Sequence, residues 1–101
     1  MSLNQHYDKE KNTLVIVIKD KFDFNLVQDF RNAYIGIDPG ARSVEVDLRA
    51  TSYMDSSALG MLLNMQKALK GQVERFAICN ANAQLKKIFQ ISRFDKKFAI
   101  D

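Results

Sequence analysis

The sequence offers little from which to build a reaction centre. It has one histidine, His6, and one cysteine, Cys79, so no internal disulfide can form. Two such ligands cannot by themselves make a zinc site of the usual nitrogen and sulfur type. A serine-hydrolase triad would have to recruit His6, which lies in a stretch that reads as an edge strand. Neither G-x-G-x-x-G nor G-x-x-x-x-G-K-S/T occurs, so the two common phosphate-cradling loops are missing. The N-terminal stretch MSLNQHYDKEKN has no apolar signal core, and no apolar run approaches the ~20 residues that cross a bilayer. These absences predict a cytoplasmic chain without membrane insertion, catalytic residues, metal or cofactor.

Proline occurs once, at Pro39, and the four glycines are scattered, so nothing reads as a linker, a repeat or a low-complexity segment. What remains is ordinary globular material: 101 residues, 47% apolar and 27% charged, enough for one core and one domain over 1–101. Net charge is +3. The excess gathers toward the C-terminal end, where Lys67, Lys70, Arg75, Lys86, Lys87, Arg93, Lys96 and Lys97 face only Glu74, Asp95 and Asp101. Without interleaved aromatics this does not read as a direct nucleic-acid footprint. It reads as a solvated face, and an acidic protein partner would fit it too.

Hydrophobic periodicity sets the expected elements. Residues 2–8 and 13–18 read as a hairpin around the polar turn Asp8 to Asn12, with Leu14 to Ile18 as a β-branched apolar run. Leu26, Val27, Phe30, Ala33 and Tyr34 fall at helical spacing, capped by Asp23 or Asn25, and predict a helix over about 24–35. Residues 43–49 alternate as a strand, and Ala50 to Met54 read as a loop. A second helix is expected over 56–70, burying Leu59, Leu62, Leu63 and Leu69. A strand over 73–79, a third helix over 82–91 with Asn82 as cap, and a strand over 97–100 complete the order β-β-α-β-α-β-α-β. That order predicts an α/β fold with a mixed, mostly parallel sheet of four or five strands and about three helices.

The segment that points to function is Ser52-Tyr53-Met54-Asp55-Ser56-Ser57-Ala58-Leu59-Gly60. It places two hydroxyls and a carboxylate at a helix start, at the strand edge where functional loops of open α/β sheets collect. Helix capping accounts for one of them, but not for three polar residues in a row. A phosphate on a serine here would add about −1.5 to −2 charge at a position the helix tolerates and a docked partner does not. Capping geometry alone does not choose between Ser56 and Ser57.

Asp55-Ser56-Ser57-Ala58-Leu59-Gly60 resembles the D-S-S/T-G-L-G signature of the STAS family, in particular its anti-sigma-factor antagonists. Lys19 to Asp23 is similar to the family's G-x-L/F-D segment, Val44 to Leu48 to its central strand, and Ala81 to Phe94 to its third helix and following turn. The resemblance implies a STAS-like fold in a bacterial protein, with a function in partner switching rather than catalysis. It implies phosphorylation at Ser56, with Asp23, Asp55 and Ser57 around the acceptor. The implied docking surface takes in Phe22, Asp23, Phe24, Asn25, Met54, Ala58, Leu59, Gly60 and Met61. The implied partners are an anti-sigma factor that is also a GHKL-type serine kinase, and a PP2C-type serine phosphatase, with the chain itself a monomer. Ala58 and Asp20 stand where the family usually has glycine, and the chain ends at Asp101 without the C-terminal helix of many relatives, which would leave one surface more open.

Two other functions compete. A constitutive STAS accessory subunit of a lipid transporter or other membrane complex would need no intact Asp55-Ser56-Ser57 run. A hydrolase using Ser56 would depend on His6.

Overall fold

Branched apolar residues at alternate positions make the sheet. In the computed structural model, which describes residues 2–101, the elements run in the expected order. They are β1 (Leu3–Asp8), β2 (Thr13–Phe22), a 3-10 turn (Phe24–Leu26) leading into α1 (Val27–Tyr34), β3 (Ser43–Met54) and α2 (Ser56–Leu69). β4 (Arg75–Cys79), α3 (Ala83–Ile91), a second 3-10 turn (Phe94–Lys96) and β5 (Ala99–Ile100) follow. The five strands lie side by side in chain order, with β1 antiparallel to β2 and every later pair parallel.

The register stacks apolar side chains across the sheet. Leu14, Val44 and Phe76 form one row, and Ile16, Val46 and Ile78 the next, all buried. Phe30 and Ala33 of α1, Leu62 and Met65 of α2, and Leu85 and Phe89 of α3 join these rows in a single core. The alternate residues Val15, Val17, Glu45 and Asp47 point the other way and are half-buried. That second face carries polar contacts instead: the Cys79 thiol lies 3.6 Å from Glu45 Oε2 and 3.7 Å from Asp101 Oδ2, and Asn80 Nδ2 donates to Asp47 Oδ1 at 3.1 Å.

Three sequence expectations need correction. β2 runs on to Phe22 and β3 to Met54, so 50–54 is strand and not loop. The inner stripe of α2 is Ala58, Met61, Leu62, Met65 and Leu69, a run at helical spacing. Leu59 and Leu63 flank that stripe and are only half-buried, because the small Ala58 sets the phase. The last strand is also shorter than expected, since Lys97 and Phe98 belong to the turn before it.

Candidate functional site

β2 and β3 outrun the rest of the sheet. The pairing of β3 with β4 ends at Asp47 and Cys79, while the pairing of β2 with β3 continues to Phe22 and Met54. The result is a two-stranded arm beyond the C-terminal edge of β4. Two register shifts interrupt it, between Val17 and Lys19 and between Asp20 and Lys21. Asp20 sits in the left-handed region at φ +66, which an aspartate tolerates better than most residues and a glycine freely. This gives a conformational reason for the glycine usual there.

Side-chain hydroxyls take up what the shifts leave open. Thr51 Oγ1 is buried and donates to the Ile18 carbonyl at 2.8 Å. Ser52 Oγ donates to the Asp20 carbonyl at 3.1 Å. Asn82, the cap of α3, donates from Nδ2 to the Thr51 carbonyl at 3.5 Å, tying the arm to the third helix. Beneath the tip, the Phe22 ring packs on Phe30 of α1 with centroids 5.4 Å apart.

The tip brings the two motif loops together. Asp23 Oδ1 accepts from the Asn25 N–H at 3.0 Å and so starts the 3-10 turn. Asp55 is the N-cap of α2: its Oδ1 accepts from the Ser57 N–H at 3.0 Å, the Ala58 N–H at 3.3 Å and the Ser57 hydroxyl. The Asp55 N–H donates to the Phe22 carbonyl at 3.3 Å, which ties the start of α2 to the end of β2. The Ser57 hydroxyl above all, aided by the N–H groups of Ala58, Ser57 and Phe24, holds the Asp55 carboxyl below its usual range against the opposing effect of desolvation.

The two serines are now distinct. Ser57 is half-buried and occupied by Asp55. Ser56 is the first residue of α2, exposed, and its hydroxyl makes no hydrogen bond among the described residues. In the segments that meet at the tip, Phe24 after β2 is 66% exposed, and Tyr53 near the end of β3 and Val27 at the start of α1 about half. Tyr53 and Val27 were not among the docking residues expected from sequence. Tyr53 carried a signal, an aromatic one residue before the buried Met54 and so on the outward side of the strand. Val27 carried none, because its helical spacing matches the core stripe.

Four expected docking residues are corrected. Phe22, Met54, Ala58 and Met61 are buried and support the surface from beneath. Asn25 and Gly60 are exposed, and Asp23 and Leu59 half-exposed, beside it. His6 is exposed on β1 opposite Val15, seven residues along β2 from the tip at Phe22, or roughly 20 Å at strand rise. It cannot take a proton from Ser56.

The family model for "Mlab, STAS domain" matches residues 5–100. The chain belongs to the STAS family. A STAS-domain containing protein of Pseudomonas aeruginosa is 41% identical over 87 residues, covering 86% of either chain. Among solved structures, this STAS domain matches the anti-sigma factor antagonist SpoIIAA of Bacillus, known in unphosphorylated and phosphorylated forms. The unphosphorylated form aligns with a TM-score of 0.68 at 22% identity, over 87% of this chain and 81% of that one. A sulfate transporter family protein from Wolinella succinogenes aligns with a TM-score of 0.75 at 12% identity, over 91% and 74%. At such identities these structures show the SpoIIAA-like fold.

Proposed function

We propose that this STAS domain is a cytoplasmic, non-enzymatic anti-sigma factor antagonist, monomeric on its own, whose docking is switched off by phosphorylation at Ser56. The observation that carries this reading is the inequality of the two serines: one hydroxyl is exposed and unbonded on an arm tip flanked by apolar residues, the other is consumed by the cap. The partner on this reading is a GHKL-type anti-sigma factor kinase, and a PP2C-type phosphatase restores the free serine. The name of SpoIIAA and its phosphorylated form support the same direction.

The energetics suit a switch. A partner covering Phe24 and Tyr53 can bury the neutral Ser56 hydroxyl by offering it a single hydrogen bond. Phosphate adds about −1.5 to −2 charge next to Asp55 and Asp23, with like sign. Burying such an anion unpaired costs several kcal/mol, and ~1.4 kcal/mol already weakens binding tenfold. The fold need not move.

The test is calorimetric titration of the kinase partner with wild type, Ser56→Ala, Ser56→Asp and phosphorylated protein. Wild type and Ser56→Ala should bind alike, Ser56→Asp at least tenfold more weakly, and the phosphoprotein weaker still. Phosphorylation should be absent in Ser56→Ala. Equal affinity across all four rejects the switch and favours the second reading, a constitutive subunit of a lipid transporter or other membrane complex. That reading draws on the Mlab-type family model and on the transporter protein of like fold.

A further inference from the structure

An open groove of about 980 Å³ lies at the other edge of the sheet, where the parallel strands begin. The end of α2 forms one wall and the second 3-10 turn the other. Both walls are fixed. Gln66 Nε2 donates to the Lys97 carbonyl at 2.6 Å. The Phe98 ring stacks on Phe94 at 5.6 Å and meets Phe76 edge-on at 6.0 Å. The floor is apolar, made of Leu63, Val73 and Phe76.

The rim is cationic. Arg42, Lys67, Lys70, Lys96 and Lys97 line it, all exposed. The one acidic residue of the lining, Glu74, is paired with Arg42 at 3.4 Å. The four lysines make no ion pair among the described residues. Four ammonium groups around one apolar floor repel one another, and a ligand that brings carboxylates relieves that repulsion. The C-terminal basic excess of the sequence is thus partly gathered into one concave place.

We propose that this groove is a second docking site, and that it takes an acidic amphipathic segment of a protein partner. The partner's carboxylates meet the lysine rim, and its apolar side chains rest on the half-buried Leu63, with Val73 and Phe76 packed behind it. A nucleic acid would want exposed aromatics to stack on, and the aromatic of this lining, Phe76, is buried. A flat bilayer would meet the ridges and leave the floor uncovered. α2 separates the lysine rim from Ser56: Lys67, the nearest rim lysine on the helix, lies eleven residues further along, about 16 Å at 1.5 Å each. That exceeds the screening length of ~8 Å at physiological salt. The groove therefore binds whether or not Ser56 carries charge, and the domain can hold two partners at opposite ends.

The experiment is fluorescence anisotropy with a labelled synthetic helical peptide that has glutamate on one face and leucine on the other. Lys67→Glu with Lys96→Glu should weaken binding at least tenfold. Lys86→Glu with Lys87→Glu, the same charge change on α3 outside the groove, should weaken it less than twofold. Ser56→Asp should stay within twofold of wild type. A peptide with serine in place of leucine should bind at least fivefold more weakly. If the groove pair fails to melt like wild type, Lys67→Gln with Lys96→Gln gives the same reading with no new charge. Equal loss in both lysine pairs overturns the proposal in favour of diffuse charge attraction. So does equal binding of the serine peptide. No binding of the acidic peptide, with groove-dependent binding of phosphatidylglycerol vesicles or duplex DNA instead, overturns it in favour of a lipid or nucleic-acid ligand.

Discussion

Replacing Asp55 by alanine would strand the N–H groups of Ser57 and Ala58 and the Ser57 hydroxyl at once. Asp55→Ala is expected to lower the melting temperature by roughly 4–8 °C, the shift a lost cap produces in a chain of this size. Ser56→Ala should leave it unchanged, because Ser56 does not cap the helix. Thermal melts of the two variants side by side check this. The Asp55 carboxyl is depressed in the folded state, so an unfolded chain takes up the proton first. Its contribution is full above the ordinary carboxylate range and is lost as pH falls through that range toward the lowered value. Asp55→Asn keeps an acceptor at the cap but removes the titration. The stability gap between wild type and Asp55→Asn should therefore close on acidification, and melts over roughly pH 2–7 would show it.

At the scale of elements, the arm depends on Thr51. Thr51→Val keeps the shape but leaves the Ile18 carbonyl without its hydroxyl donor. Leaving a buried acceptor unpaired costs about 1–3 kcal/mol, to be read from urea unfolding midpoints. The same arm marks where the sequence stopped being legible. Strands with an unbroken period of two, such as Val44, Val46 and Leu48, were plain. Past Leu48 the buried positions step by three, to Thr51 and then Met54, because the register shifts reset the alternation. A threonine and a serine then satisfy strand backbone from their side chains, so the segment reads as polar loop. The second helix was visible, but not its phase, since Ala58 looks like a filler beside Leu59 and is the fully buried one. The motif itself was legible because it sits at a boundary, where cap, loop and function leave their residues adjacent in the chain. The lysine groove was not, because Arg42, Lys67 and Lys96 meet only in space.

For the molecule as a whole, the helices crowd one face of the sheet and leave the other to polar contacts. Cys79 belongs to that second face. Burial above all, then the carboxylates of Glu45 and Asp101, push its thiol up to about 12. A disulfide-exchange reagent at pH 8 should therefore label the folded protein at least about a hundredfold more slowly than a free cysteine, with full reactivity returning in denaturant. Rapid labelling of the native protein would contradict the contacts drawn around it.

The strands lie in space in the order in which they occur in the chain. Each new strand has one place to go, the outer side of the strand made just before it. No earlier pair must open to admit a later one. During synthesis the N-terminal hairpin emerges first and offers β2 as a template for β3, which then serves β4. The growing edge is always the youngest strand, and β5, only two residues long, leaves little further edge on which another chain could add. The topology thus permits vectorial assembly, closing one modest loop at a time.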